Sequence, residues 1–334
     1  MNVLADLHHG DLYHSLRMLF EKRLGWNLYR PIGIDWYTKG FWQYNNNLPT
    51  VKQYLDIRGE DKDQGDHFLC PEGPHGEVDK ALTFSQFLEK DIDIVIASVR
   101  EHEDTYHRLI QEHKPKAKLI RQCGNIHDVV DPQIIKNIMA SCCLSNIPPN
   151  VNAISYHQEF DLKVFKPSFE TPDNKIKNFM NCVPDSRDFY LWPRYKAELE
   201  NFDFKMFGIL GDDGIIGNVQ EIADKMRDST FIWHVKFGGD GFGHVIHNAF
   251  AVGTPIITRA SYYKNCLAEP LLVDGETCID LDKGSFEENI SKIKALACPV
   301  NNAMMRKNTY NKFKQCVDFD KEFKIITKFL ENLK

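Results

Sequence analysis

Apolar and polar positions follow one another along this chain in blocks that read as strand, helix, strand. Asn2 to Leu7 is a short apolar run of the length of a buried strand. His8-His9-Gly10-Asp11 is turn chemistry, and Asp11 is placed to cap a helix that the spacing predicts to about Leu24. Leu12, Leu16, Leu19, Phe20 and Leu24 recur on one face of that helix. Gly25 ends it, and Trp26 to Ile34 resumes extended structure. The chain therefore opens as a βαβ unit.

The periodicity fails between Gln43 and Ala81. Asn45-Asn46-Asn47, Arg58-Gly59-Glu60-Asp61 and Pro71-Glu72-Gly73-Pro74 are loop sequences, and the aromatic cluster Trp36, Tyr37, Phe41 and Trp42 precedes them. The segment 43–81 is expected to be an insertion near the top of a sheet. Regular alternation then returns. Helices are predicted at Phe84–Leu88 and Asp104–Glu112, and strands at Ile92–Ala97 and Lys118–Gln122. The apolar run Ile134–Ala140 fits either type. Leu162 to Asp173, with Pro167 and Pro172, reads as a connection between domains. A second α/β series begins at Ile176, with strands at Lys177–Cys182 and Phe204–Ile209 and helices at Trp192–Asn201 and Val219–Arg227, the last capped by Asn218. In the tail, Phe323, Ile326, Phe329, Leu330 and Leu333 share one helical face.

The densest signal lies between Phe231 and Asp282. The strand Phe231–Val235 enters the turn Gly238-Gly239-Asp240-Gly241-Phe242-Gly243. A helix follows from His244 to Val252, Gly253-Thr254-Pro255 ends it, and the strand Ile256–Thr258 begins at once. In an open α/β sheet, ligands bind at the carboxyl ends of the strands. Glycines let a backbone approach a phosphate, and a helix amino end offers free N–H groups and a positive dipole end. Gly241, Phe242, Gly243 and His244 are the expected donors. Lys236, just after the strand, is the first candidate for a cation on a phosphate.

This stretch resembles the nucleotide-sugar loop of retaining glycosyltransferases of the GT-B fold, family 4 in particular. Asp240-Gly241-Phe242-Gly243 stands where that family has Glu-Gly-Phe-Gly. Asn248 to Ile257 stands where it has a second Glu, a small-residue helix end and Gly-Thr-Pro-Val-Ile. Asp274-Gly275-Glu276-Thr277-Cys278-Ile279 is similar to its closing strand. Two substitutions depart from the pattern: the first acidic residue is Asp240, and the second is Asn248.

The resemblance implies an α/β protein of two Rossmann-like domains facing across a cleft. Residues 1–163 would be the acceptor-side domain and 174–315 the nucleotide-sugar domain, with 316–334 a helix packed back on the first. It implies transfer of a sugar from a nucleotide diphosphate sugar to a hydroxyl, with retention. Asp240 would face the sugar and Asn248 the ribose, Thr254 would belong to the same donor site, and Arg187 and Arg194 would reach the diphosphate. His8 and His9, after the first strand, are candidates to orient the acceptor. No metal and no cofactor beyond the donor sugar are expected.

Composition narrows the field. With 334 residues, the chain is long enough for two cores. A net charge of -6 gives no global basic field for nucleic acid. Nine cysteines without a C-x-x-C pair suit reduced thiols and a cytoplasmic protein. No apolar run reaches the length of a membrane span, and the first residues lack the basic start of a signal peptide. Asp280-x-Asp282 looks like a metal-binding D-x-D but falls in the closing strand, and Gly239-x-Gly241-x-Gly243 lacks the dinucleotide spacing. His102, His107 and His157 read as structural residues. Two further readings stay open: a glycosyltransferase acting on hydroxymethylated bases in DNA, and a nucleotide-sugar epimerase or non-catalytic glycan-binding protein of the same fold.

Overall fold

A computed structural model describes residues 1–7, 9–31, 62–70, 75–98, 100–125, 128–142, 147–179, 187–208 and 210–334. The chain divides into two compact units, 1–160 with 319–334, and 161–318.

Unit 1 begins with β1 (Asn2–Asp6), α1 (Gly10–Arg17, continued by a π-helical turn Met18–Arg23) and β2 (Asn27–Pro31). The chain then forms β3 (Lys62–Asp63), β4 (Phe68–Leu69), β5 (Lys80–Leu82), α2 (Phe84–Glu89), β6 (Ile94–Ala97) and α3 (Glu103–His113). Strands β7 (Lys118–Cys123), β8 (Asn137–Ala140) and β9 (Asn152–Ser155) complete the sheet. Its order is β3-β4-β5-β2-β1-β6-β7-β8-β9. Every pair from β5 to β9 is parallel, and β3 and β4 add an antiparallel edge. β5 lies beside β2 in the main sheet, so the irregular segment ends before Lys80 and not at Ala81. The part 43–61, the residues 71–74 and the aromatic cluster lie outside the described residues.

Strand alternation sorts this core into two layers. Leu4, Val95 and Ile138 face Phe87 of α2 and Tyr106 and Leu109 of α3. Val3, Ala5, Ile96 and Met139 face Leu16 and Phe20 on the other side. There they also meet Ile326, Phe329 and Leu330 of the last helix, which runs Phe319–Glu331. Asp11 does not cap α1. The cap is His9, without a side-chain capping bond, and Asp11 lies inside the first turn.

Unit 2 runs β10 (Lys175–Asn178), α4 (Leu191–Glu198), β11 (Asp203–Met206), α5 (Val219–Arg227), β12 (Phe231–Trp233), α6 (His244–Ala251), β13 (Ile256–Thr258), β14 (Cys278–Asp280), α7 (Phe286–Leu296) and α8 (Pro299–Cys316). The last helix is therefore α9. All five strands are parallel in the order β11-β10-β12-β13-β14. This is a doubly wound sheet whose strand order reverses between β10 and β12, the place where such sheets bind ligands. Asn218 caps α5 through a bond from Glu221 N–H to its side chain at 2.8 Å. Arg306 of α8 is fully buried, and its guanidinium donates to the carbonyls of Ser168, Ser229 and Arg227 at 2.8–3.0 Å. Burial lowers its pKa to about 10, and it meets the free carbonyl end of α5.

Candidate functional site

The carboxyl end of β12 leads into the glycine turn. Gly238 and Gly239 have φ of 76° and 71°, a left-handed conformation that side chains rarely adopt. A Cβ on Gly239 would stand 2.5 Å from the carbonyl oxygen of Tyr262, so the turn also approaches a neighbouring backbone too closely for any other residue. Gly243, φ 76°, is the N-cap of α6 and has no side chain to offer. The opening amides of α6 are therefore left without a side-chain cap.

Asp240 is held in the middle of this turn. Its carboxylate meets His234 Nε2 at 2.8 Å and the Lys236 ammonium one helical turn away in sequence. Burial pushes its pKa up, but His234 and Lys236 outweigh it and hold the carboxyl well below the usual range. Asp240 is thus ionised throughout the neutral range. His234 itself is 1% exposed. Sequence reading placed it inside an apolar strand. A titratable side chain two positions before a lysine, at a strand end that feeds a glycine turn, was the available signal.

His244 and Asn248 share the half-buried face of α6, one turn apart. Among the described residues, the buried Asn248 Oδ1 meets no hydrogen-bond donor. Gly241 and Phe242 complete the turn, and the Phe242 ring is buried flat against His247 at 4.1 Å, so the main chain is what remains to meet a ligand. Arg187 is exposed and lies over the Phe237 ring at 4.5 Å, which places it beside the turn. Arg194 stacks on Phe286 at the start of α7, 3.8 Å from the ring centroid, and packs in the helix layer.

Thr254 requires a correction. It is fully buried beyond the carboxyl end of α6, and its hydroxyl donates to the Met226 carbonyl at 2.8 Å. The residue ties α5 to the end of α6 and has no free group for a donor sugar. His9 is exposed at the start of α1, and His8 lies outside the described residues. The Asp280 carboxylate accepts from Ala260 N–H and Asp282 N–H, and Asp282 is bound by Arg259 and Ser261. Protein donors already engage both carboxylates of the D-x-D. His102 is buried against Asp6 at 2.7 Å, and His157 meets Glu322 at 2.6 Å.

Alongside the turn lies a polar network that sequence reading did not assemble. The Tyr262 hydroxyl donates to Asp188, Arg259 Nε lies 3.4 Å from Asp188, and Arg259 Nη1 donates to Asp282 at 2.8 Å. It fixes the segment after β13 against the turn, which Phe237 and Tyr262 seal by an edge contact at 5.8 Å.

No protein-family model and no curated protein matches the sequence. Solved structures do match along the whole chain. Anabaena HepE in complex with UDP-glucose is similar at 12% identity and a TM-score of 0.66, covering 100% of both chains. A glycosyltransferase from Rickettsia africae matches at 12% identity and 0.64, covering 99% of both. The pneumococcal O-GlcNAc transferase GtfA, in complex with UDP and GlcNAc, matches at 11% and 0.58, covering 99% of both. At these identities the likeness establishes the fold: an α/β chain with the architecture of GT-B glycosyltransferases, two units each built on parallel strands. Among the described residues, no helix is long and apolar enough to cross a membrane.

Proposed function

We propose that this chain is a glycosyltransferase that takes a sugar from a nucleotide diphosphate donor bound at the glycine turn and passes it to a hydroxyl. The observation that carries this reading is the amino end of α6. It has no side-chain cap, it follows a left-handed glycine turn at the reversal point of a parallel sheet, and Asp240 and Lys236 stand beside it. The fold that holds it is shared with proteins solved with UDP-glucose and with UDP and GlcNAc.

In the reaction the bond from the anomeric carbon to the donor phosphate breaks, and a bond to the acceptor oxygen forms. The acceptor proton is lost, and the nucleoside diphosphate departs with the electron pair. Negative charge therefore grows on the diphosphate. The α6 amides and Lys236 are the groups that meet it, in a site prepared before the charge appears. Lys236 can exchange its Asp240 partner for phosphate. Asp240, ionised and oriented by His234, then accepts hydrogen bonds from sugar hydroxyls. Asn248 takes the ribose, its Oδ1, which has no partner among the described residues, accepting from a ribose hydroxyl. Assignment to family 4, retention of configuration and independence from metal ions belong to the same proposal and rest on the resemblance of the motif.

The test is titration of the chain with UDP, GDP and ADP sugars, followed by product analysis with a panel of acceptors, with and without a chelator. One nucleotide series is expected to bind and to turn over in the presence of chelator. Gly243→Trp, which fills the amino end of α6, is expected to abolish binding. Absence of binding across the panel, or full activity in Gly243→Trp, contradicts the assignment.

A further inference from the structure

Unit 2 has a cavity that the donor reading does not use. It lies at the amino ends of β10 and β11, the end of the parallel sheet opposite the glycine turn. Its volume is about 760 Å³. Three connections wall it: the segment 171–174 that enters β10, the turn from α4 to β11, and the turn from α7 to α8.

The wall is partly acidic and partly apolar. Asp173, Glu198 and Glu200 stand against one cation, Lys294. All four are exposed, and none is in an ion pair among the described residues. The carbonyl ends of α4 and α7 also open on the cavity, against the single amino end of α8. Pro172, Phe202 and Pro299 supply apolar wall. Beyond Pro299, α8 carries Val300 and Met304 one turn apart, 79% and 56% exposed. Another surface of the chain has the opposite charge. The outer face of α9 presents Lys321, Lys324, Ile325 and Lys328 at helical spacing, all exposed. Among the described residues, Lys324 and Lys328 have no carboxylate partner.

We propose that this cavity docks the outer face of α9 from a second copy of the chain, with lysines among Asp173, Glu198 and Glu200 and Ile325 against Val300 and Met304. The two surfaces match in sign of charge, and each carries apolar side chains beside its charges. A small amine would meet the carboxylates but leave Val300 and Met304 in water. A purely apolar partner would bury the carboxylates unpaired, which is costly. Both surfaces are exposed, so each is left for another molecule. Each copy offers one cavity and one helix face, and the contact runs head to tail. It is small beside the ~1,200–2,000 Å² of stable interfaces, so the association is expected to be weak and to fall with salt. The proposal is independent of the donor reading, which concerns the other end of this sheet.

Sedimentation velocity of the full chain, from low to high micromolar and at low and high salt, tests it. Average mass is expected to rise with concentration at low salt and to return to that of the monomer at high salt. Glu198→Lys with Glu200→Lys reverses the cavity, and Lys324→Glu with Lys328→Glu reverses the helix. Each double variant alone is expected to stay monomeric, with unchanged circular dichroism and melting. Mixing the two is expected to restore association, because each reversed surface then meets an opposite one. The proposal is overturned if the unaltered chain stays monomeric, if either double variant associates as before, or if the mixture does not associate. Spermine bound by a chain that stays monomeric, and lost in Glu198→Lys with Glu200→Lys, would give the cavity to a small polyamine instead.

Discussion

Asp240 concentrates the chemistry of the turn in one side chain. It is the partner of both His234 and Lys236, so its charge serves the folded state as well as a ligand. Asp240→Asn is expected to lower transfer about a hundredfold or more and to destabilise the chain by about 1–3 kcal/mol at neutral pH. The pH dependence has a definite sign. The folded pKa lies below the unfolded value of about 3.9, so the contribution is fully present above that value and fades as pH falls towards the folded pKa. Melting of the two proteins between pH 7 and pH 3 should therefore show the gap closing only below about pH 4. Asn248→Ala is expected to raise the donor KM about tenfold with a smaller change in kcat, because it removes ribose contacts shared by ground and transition states. Thr254→Val should cost stability and leave donor affinity unchanged, as its hydroxyl is spent on Met226. Glycines and their spacing made the turn legible in the sequence. His234 was not legible, because its role depends on a carboxylate folded back onto it. Thr254 was misjudged for the opposite reason: a motif residue close in sequence to a ligand loop lies, in space, at the far end of the helix.

At the scale of elements, periodicity located most strands and helices, since buried parallel strands and amphipathic helices carry their burial in their spacing. It said nothing of α7 and α8, and it placed β5 inside a loop because three residues are too few to show a period. The elements around the donor turn are tied by buried polar bonds that sequence alone does not pair. Arg306 is the clearest case, reaching from α8 to carbonyls at the end of α5 and to Ser168. Arg306→Ala would leave those carbonyls buried and unpaired, and a loss of about 3–5 kcal/mol is expected in denaturant unfolding. Gly239→Ala should be nearly as harmful locally, since the new Cβ meets the Tyr262 carbonyl and the left-handed φ is strained. Its effect is expected in donor affinity before it is seen in global stability.

The whole molecule is two α/β units, and the chain returns to the first after completing the second. Helix α9 supplies Ile326, Phe329 and Leu330 to the core layer that also holds Val3, Ala5 and Phe20. Each such side chain is worth about 1.5–3 kcal/mol when buried, so removal of residues 319–334 is expected to expose β1, β6 and β8 to hydrogen exchange while β12 and β13 keep their protection. Equal loss of protection in both sheets would contradict that division. The central claim is that a donor diphosphate rests on the amino end of α6, and a crystal structure grown with UDP-glucose tests it most directly. The account predicts diphosphate oxygens within hydrogen-bond reach of the Gly243 and His244 amides, with Lys236 turned from Asp240 towards phosphate. Diphosphate bound away from that turn, with Lys236 still on Asp240, would contradict it.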